Sequence, residues 1–330
     1  MLQEDLYAFE ENWLDASDDT PPCFLEDSKW NNLIGLQKLT LTLLLRQRVL
    51  KIPSLIAAAR RFNSSLVETK QDGEIFLVSI ARPEKRNAVD AETAKELADA
   101  FRHFEIDDES SVAVLYGKGD TFCAGYDLGY LSTRGPDEFL RWLTPPGEGD
   151  GPMGPTRLKL TKPVIGAIEG HAVAGGMELA LMCDLRVVAE DAVMGMFNRR
   201  FGVPTVDGGT VRLPYIVGLS HALDLIMTGR AVHAKEALSI GLANRVVPKG
   251  KTVEEALKLA KMLVRFPREA VCADRKSVFY ATFNADSFYD ALTYEYSKGV
   301  KLQIMKDSIE GAKQFLQGKG RKGSFDDYLD

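Results

Sequence analysis

The chain has 330 residues, 45% of them hydrophobic and 27% charged, with a formal net charge of −6. That is globular composition, long enough for one large domain or two small ones, and the acidic excess argues against nucleic acid as the main partner. No apolar run is long enough to span a membrane. Cys23, Cys123, Cys183 and Cys272 form no Cys-x-x-Cys pair, and His103, His171, His221 and His233 have no metal-ligand spacing. We therefore expect no metal, no redox cofactor and free thiols in a reducing compartment.

Residues 1–28 are acidic, with no Lys or Arg before Lys29. Composition then flips: from Lys29 to Thr69 the only acid is Glu68, while Lys38, Arg46, Arg48, Lys51, Arg60 and Arg61 punctuate Leu-rich sequence. An Arg-rich, acid-poor, amphipathic stretch has the traits of a mitochondrial transit peptide, so the matrix is the expected destination, with the cytoplasm as the alternative. The competing reading is an accessory arm that packs on the body or on a partner. Residues 1–66 are taken as this extension, 67–265 as the core and 266–330 as a C-terminal helical region.

The body opens with an alternating strand at 73–83. A helix follows at 90–105, capped by Asp90, with Ala94, Leu97, Ala98, Phe101 and Phe104 on one face. Continuous apolar runs at 111–119, 162–173 and 185–191 read as buried strands. Strands alternating with helices define an α/β protein with mostly parallel pairing. The last third reads as four helices, at 252–266, 268–282, 285–299 and 301–318.

Two segments share one design: a buried strand, a glycine turn, then a loop or helix. One carries Ala124-Gly125-Tyr126-Asp127. The other carries Gly175-Gly176 and, three residues past Gly175, Glu178 among Met177, Leu179, Ala180, Leu181 and Met182. Glycine turns let backbone amides face a cleft, and amides at a helix start are unpaired and partly positive. Two such turns brought together would aim two donors at one oxygen. Neither turn has the glycine spacing of a dinucleotide fingerprint or the Gly-Lys-Ser/Thr of a P-loop.

Five segments in order, at 81–90, 122–128, 162–192, 201–218 and 228–248, closely resemble the enoyl-CoA hydratase/isomerase (crotonase) family. The resemblance covers residues 68–325. It implies a spiral of ββα units with C-terminal helices that aid trimerisation, as a homotrimer or a dimer of trimers. It implies an acyl-CoA thioester substrate, with coenzyme A part of the substrate and no separate cofactor. The shared step would be stabilisation of a thioester enolate by two backbone N–H groups, here those of Tyr126 and Gly175.

Glu178 matches one of the two catalytic glutamates of family hydratases. Burial among apolar residues would raise its pKa toward a value useful for proton transfer. The competing reading is an acid favoured by the helix dipole. The second glutamate position falls on Asn198, which can hold a water or a carbonyl but cannot act as acid or base near neutral pH. Asp207 is a possible substitute proton carrier, or else an N-cap for the helix after it. Ala124, Gly125, Asn198 and Arg86 are expected to touch substrate, with Arg82, Lys85 and Arg86 in the stretch where the resemblance implies CoA binding.

Other polar residues carry less. Asp127 reads as structural, His171 as a loop hydrogen-bonder, and Arg199 and Arg200 as a solvated or interface pair, with contact to CoA phosphates or an acidic acyl group as the alternative. Lys319, Arg321 and Lys322 form a basic tail within reach of a nucleotide. The leading expectation is a hydratase-like lyase. Its alternatives are a one-carboxylate isomerase, decarboxylase or thioester hydrolase of the same fold, and a non-catalytic protein that docks a partner or RNA through the basic arm.

Overall fold

The computed structural model describes residues 66–323. The expected extension up to residue 65, with its transit-peptide-like stretch and Cys23, lies outside the described residues, as does the tail beyond 323.

A hairpin opens the body, β1 (Val67–Asp72) against β2 (Ile75–Ile80), followed by α1 (Ala91–Ile106) and β3 (Val112–Gly117). Two short helices follow, α2 (Leu128–Ser132) and α3 (Pro136–Trp142). Next come β4 (Val164–Ile168), β5 (His171–Val173), α4 (Gly175–Met182), β6 (Leu185–Ala189) and β7 (Val193–Gly195). The chain continues through α5 (Gly209–Val217), α6 (Leu219–Thr228), β8 (Val232–His233), α7 (Ala234–Ser239) and β9 (Arg245–Val247). It closes with α8 (Thr252–Val264), α9 (Arg268–Phe283), α10 (Phe288–Gly299) and α11 (Leu302–Leu316).

The main sheet has the order β1-β2-β3-β4-β6-β9, antiparallel only at β1. Strands join the sheet in chain order, and after β4 the chain alternates between this sheet and a smaller one, β5-β7-β8. That alternation produces a spiral. The main sheet is apolar on both faces because both are covered. Phe76, Val78, Ile80 and Leu115 share a cluster with Leu97, Phe101 and Phe104 of α1. On the other side Ile75, Leu77, Val112, Val114 and Ile165 cluster with Ala256, Leu259 and Ala260 of α8. Asp90 caps α1 as expected, its carboxylate accepting from Thr93 N at 2.9 Å.

One strand expectation is corrected. The apolar run at 162–173 is two strands in two sheets, β4 and β5, separated by Glu169-Gly170. Gly170 adopts a left-handed φ of 57°, and a Cβ there would lie 2.0 Å from Asp120 O. Only glycine allows that corner. Buried Glu169 then accepts from Gly250 N and Thr252 Oγ1, both at 2.9 Å, and ties the corner to the start of α8.

The C-terminal helices divide in character. α9 buries Cys272, Ala273 and Ser277 and is pinned by an Arg275–Asp184 ion pair at 2.9 Å. On α10 and α11 only Ile304 is buried, while Phe288 and Tyr289 are each 80% exposed and Leu302 74%. Among the described residues no helix is long and apolar enough to cross a membrane.

Candidate active site

The two glycine turns meet. Val89 and Tyr126 form an isolated bridge, with Val89 N–H donating to Gly125 O and Asp127 N–H to Val89 O, each at 2.8 Å. Asp127 then caps α2, accepting from Gly129 N and Tyr130 N, and pairs with Arg82 at 3.2 Å. In the second turn Ala174 holds φ 53° and ψ −124°, a conformation rarely tolerated with a side chain. Its N–H bonds Gly195 O at 2.8 Å, and its carbonyl receives Met177 N at 3.0 Å to start α4. A Cβ on Gly125 would stand 3.0 Å from Gly175 N, and one on Gly176 only 2.1 Å from Cys123 O. The close approach of the two turns therefore requires glycine.

A cleft of about 130 Å³ opens where they meet, with Ala124, Tyr126, Gly175, Glu178, Asn198 and Asp207 in its wall. The rest of the wall is mostly apolar, including Leu128, Pro152, Met153, Phe197, Phe201, Val203 and Pro204. A larger cavity of about 400 Å³ lies between the ends of β4 and α4 and the helices α5 and α9. Size does not decide between them. The smaller cleft holds a buried carboxyl beside two convergent backbone turns, which is where proton and oxyanion chemistry can occur.

Glu178 is 2% exposed. Its Oε1 accepts from Asp207 N and Gly209 N, both at 2.9 Å, which leaves Oε2 for the cleft. Burial, reinforced by the nearby Asp207 charge, pushes its pKa up to about 8, against the opposing pull of the two amides and of Arg212. Desolvation wins, so the carboxyl is mainly protonated at pH 7. Glu178 lies in the first turn of α4, yet its carboxylate is held by amides at the start of α5.

Asp207 is also 2% exposed, and burial raises its pKa. It is not the N-cap of α5; Gly208 occupies that position with a left-handed φ of 91° and no side-chain cap. Instead Asp207 Oδ1 accepts from Met153 N at 3.0 Å and Thr156 Oγ1 at 2.5 Å. This ties the loop carrying Met153, which packs against Gly175, to the segment whose amides hold Glu178. Arg212 donates to Asp207 O at 2.9 Å and Thr156 O at 2.5 Å, and Arg157 donates to Val206 O at 2.9 Å. Sequence reasoning missed Arg212, Arg157 and Met153. The only signal was the Gly/Pro-rich stretch at 145–155, which has no periodicity to read.

Asn198 lies in a 3-10 turn, Phe197–Phe201, and is 5% exposed. Its Nδ2 donates to Thr205 Oγ1 at 2.7 Å. Its Oδ1 is the one buried side-chain N or O atom among the described residues with no partner.

The basic residues separate. Arg82 is not available to a ligand: it is 8% exposed, paired with Asp90 at 3.0 Å and Asp127, and donates to Ala88 O. Lys85 and Arg86 are exposed, and Arg86 O accepts from Ala124 N at 3.0 Å, which sets Arg86 beside the first glycine turn. Arg199 and Arg200 are exposed, with Arg200 stacked 3.6 Å from the Phe197 ring centre. His171 is exposed and outside the cleft wall. Lys319, Arg321 and Lys322 are exposed at the end of α11.

The spiral α/β core thus closes two glycine turns on a buried acid. The enoyl-CoA hydratase/isomerase family pattern matches residues 70–326, and the chain belongs to that family. It is 32% identical over 260 residues to an enoyl-CoA hydratase of Mycobacterium tuberculosis, covering 77% of this chain and 93% of that protein. It is 33% identical over 261 residues to the carnitinyl-CoA dehydratase of Escherichia coli K12, covering 77% of this chain and 96% of that protein. A solved enoyl-CoA hydratase from M. tuberculosis H37Rv superposes with a TM-score of 0.69 at 32% identity, covering 77% of this chain and 96% of that one. These relatives are bacterial and lend no support to the mitochondrial expectation.

Proposed function

We propose that this chain is a hydro-lyase that adds water reversibly to a 2-enoyl-CoA thioester. The Tyr126 and Gly175 amides stabilise the thioester enolate and Glu178 moves the proton. The observation that carries the reading is Glu178 itself. It is a desolvated carboxyl fixed by two amides on one oxygen, with the other oxygen at the cleft where the glycine turns meet. The names of the relatives, a hydratase and a dehydratase, support the same direction of chemistry.

One carboxyl is enough to balance the reaction. As the water oxygen bonds to Cβ, the alkene pair shifts toward Cα and the thioester becomes an enolate held by the two amides. Ionised Glu178 takes the water proton, then delivers it to Cα. Coenzyme A enters and leaves as part of the substrate. Arg86 stands beside the first glycine turn, where its guanidinium would suit a coenzyme A phosphate.

Asp207 is the less favoured second proton carrier, because its Oδ1 is committed to Met153 and Thr156. A second reading keeps the enolate and drops the water, giving an isomerase, decarboxylase or thioester hydrolase. Asn198 at the second glutamate position favours it. Crotonyl-CoA decides by product: hydration gives 3-hydroxybutyryl-CoA, isomerisation gives 3-butenoyl-CoA, and hydrolysis gives crotonate and free coenzyme A. The exposed apolar residues of α10 and α11, Phe288, Tyr289, Tyr296 and Leu302, support assembly as a homotrimer or a dimer of trimers. Light scattering on the full chain would find three or six copies, and a monomer would contradict that assembly.

A further inference from the structure

Asn198 presents a buried carbonyl oxygen with no donor to meet it. Leaving such an acceptor unpaired is costly, and native proteins keep few of them. The amide is anchored on its other side, where Nδ2 donates to Thr205 Oγ1 at 2.7 Å. Thr205 lies beside the proposed proton carrier: a Cβ placed on Gly209 would meet Thr205 Cγ2 at 2.9 Å and Glu178 Cγ at 3.0 Å. The anchored amide and Glu178 thus adjoin across one glycine, and both border the same cleft. The chemistry missing there is an O–H or N–H donor.

We propose that Asn198 Oδ1 is the acceptor for the oxygen that is added or lost, holding one hydrogen of the water, or the β-hydroxyl of the 3-hydroxyacyl thioester, while Glu178 exchanges the other proton. This rests on the hydratase reading above. The division of labour follows from what each group can do. A carboxamide oxygen accepts a hydrogen bond but does not take the proton near neutral pH, so the water keeps the hydrogen that points at Asn198. The proton that leaves is the one facing Glu178 Oε2. Asn198 therefore selects for a reacting oxygen and positions it without competing for its proton. The enolate step, which needs only the two amides and Glu178, does not require it.

Two readouts on the full chain separate these steps. Hydration of crotonyl-CoA is measured by formation of 3-hydroxybutyryl-CoA. Exchange of the α-protons of butyryl-CoA in D₂O, followed by NMR, reads enolate formation with no water added to carbon. Asn198→Leu removes the acceptor, and hydration is expected to fall at least tenfold, the worth of one hydrogen bond of about 1.4 kcal/mol, while α-exchange continues. Asn198→Asp keeps an acceptor and removes the donor, and is expected to retain far more hydration than Asn198→Leu.

Equal loss of hydration and exchange in Asn198→Leu would mean a structural role and overturn the assignment. Hydration undiminished in Asn198→Leu would overturn it as well. Asn198→Asp as impaired as Asn198→Leu would show that the amide donates rather than accepts, again against the assignment. Wild-type protein that exchanges α-protons but never hydrates crotonyl-CoA would instead contradict the hydratase reading, and the Asn198 assignment would fall with it.

Discussion

The two sides of the cleft treat their polar side chains in opposite ways. On the α4 side, Glu178 is over-determined: Oε1 is satisfied twice, and a strained Ala174 and two glycines that admit no side chain fix where its helix begins. On the 3-10 turn side, Asn198 is under-satisfied, with its nitrogen anchored and its oxygen orphaned. The first arrangement holds a group in place so that it can change protonation state. The second holds a group that cannot change protonation state and leaves it waiting for a partner. On the proposed hydratase reading, a site with one titrating wall and one fixed acceptor wall needs only one carboxyl to add water.

The largest break in this comparison is Glu178→Gln. The amide keeps a carbonyl oxygen for the Asp207 and Gly209 amides but cannot move a proton, so hydration should fall by about 10²–10⁴-fold. The same change should stabilise the fold. A carboxyl whose pKa rises from 4.5 to about 8 on folding keeps its proton in the native state when the unfolded chain has lost it, so ionisation opposes folding between those two pH values. Melting of Glu178→Gln should exceed wild type by on the order of 5 °C at pH 8, with the gap closing near pH 4 where both states are protonated. An unchanged melting temperature at pH 8 would show that Glu178 carries no such burden.

Gly209→Ala attacks both walls at once. Its Cβ would press on Met196 Cε at 2.7 Å, Thr205 Cγ2 and Glu178 Cγ. Hydration and butyryl-CoA α-exchange should both drop at least tenfold, in contrast to Asn198→Leu. If only hydration fell, the geometry linking the two walls through Gly209 would be wrong.

Two charge changes sharpen the comparison with opposite signs. In the proposed mechanism ionised Glu178 starts hydration, so activity should rise with pH through about 8. Asp207→Asn removes the neighbouring charge that helps raise the Glu178 pKa while keeping an acceptor for Met153 and Thr156, so the rise should move to lower pH. Arg212→Gln removes a charge that pulls the other way, so the rise should move up. Each shift should be smaller than the loss in Glu178→Gln. A collapse of activity at every pH in Asp207→Asn would instead make Asp207 a proton carrier.

Much of the fold is legible in the sequence. The apolar runs give β3, β4 and β6 because a sheet covered on both faces must be apolar throughout, whereas the 73–83 segment, read as alternating, is buried at every position of β2. Glu178 stands out because a carboxylate among Met177, Leu179, Ala180 and Leu181 needs a reason. What escapes is long-range pairing. Nothing in the 81–90 segment says that Arg82 will be consumed by Asp90 and Asp127 while Arg86, four residues on, stays exposed. Nor does Asp207 next to Gly208-Gly209 reveal that its carboxylate turns back to Met153 and Thr156, since the usual local expectation is an N-cap. The break at Gly170 hides in a run whose hydrophobicity does not change across the corner.

The central claim is that a single buried carboxyl drives water addition here. The most direct test is the spectrophotometric assay of full-length wild-type protein on crotonyl-CoA beside Glu178→Gln, run from pH 6 to 9. The account predicts loss of enoyl absorbance by the wild type, faster as pH rises through about 8, and almost none by the variant. Wild-type activity that survives intact in Glu178→Gln would contradict it.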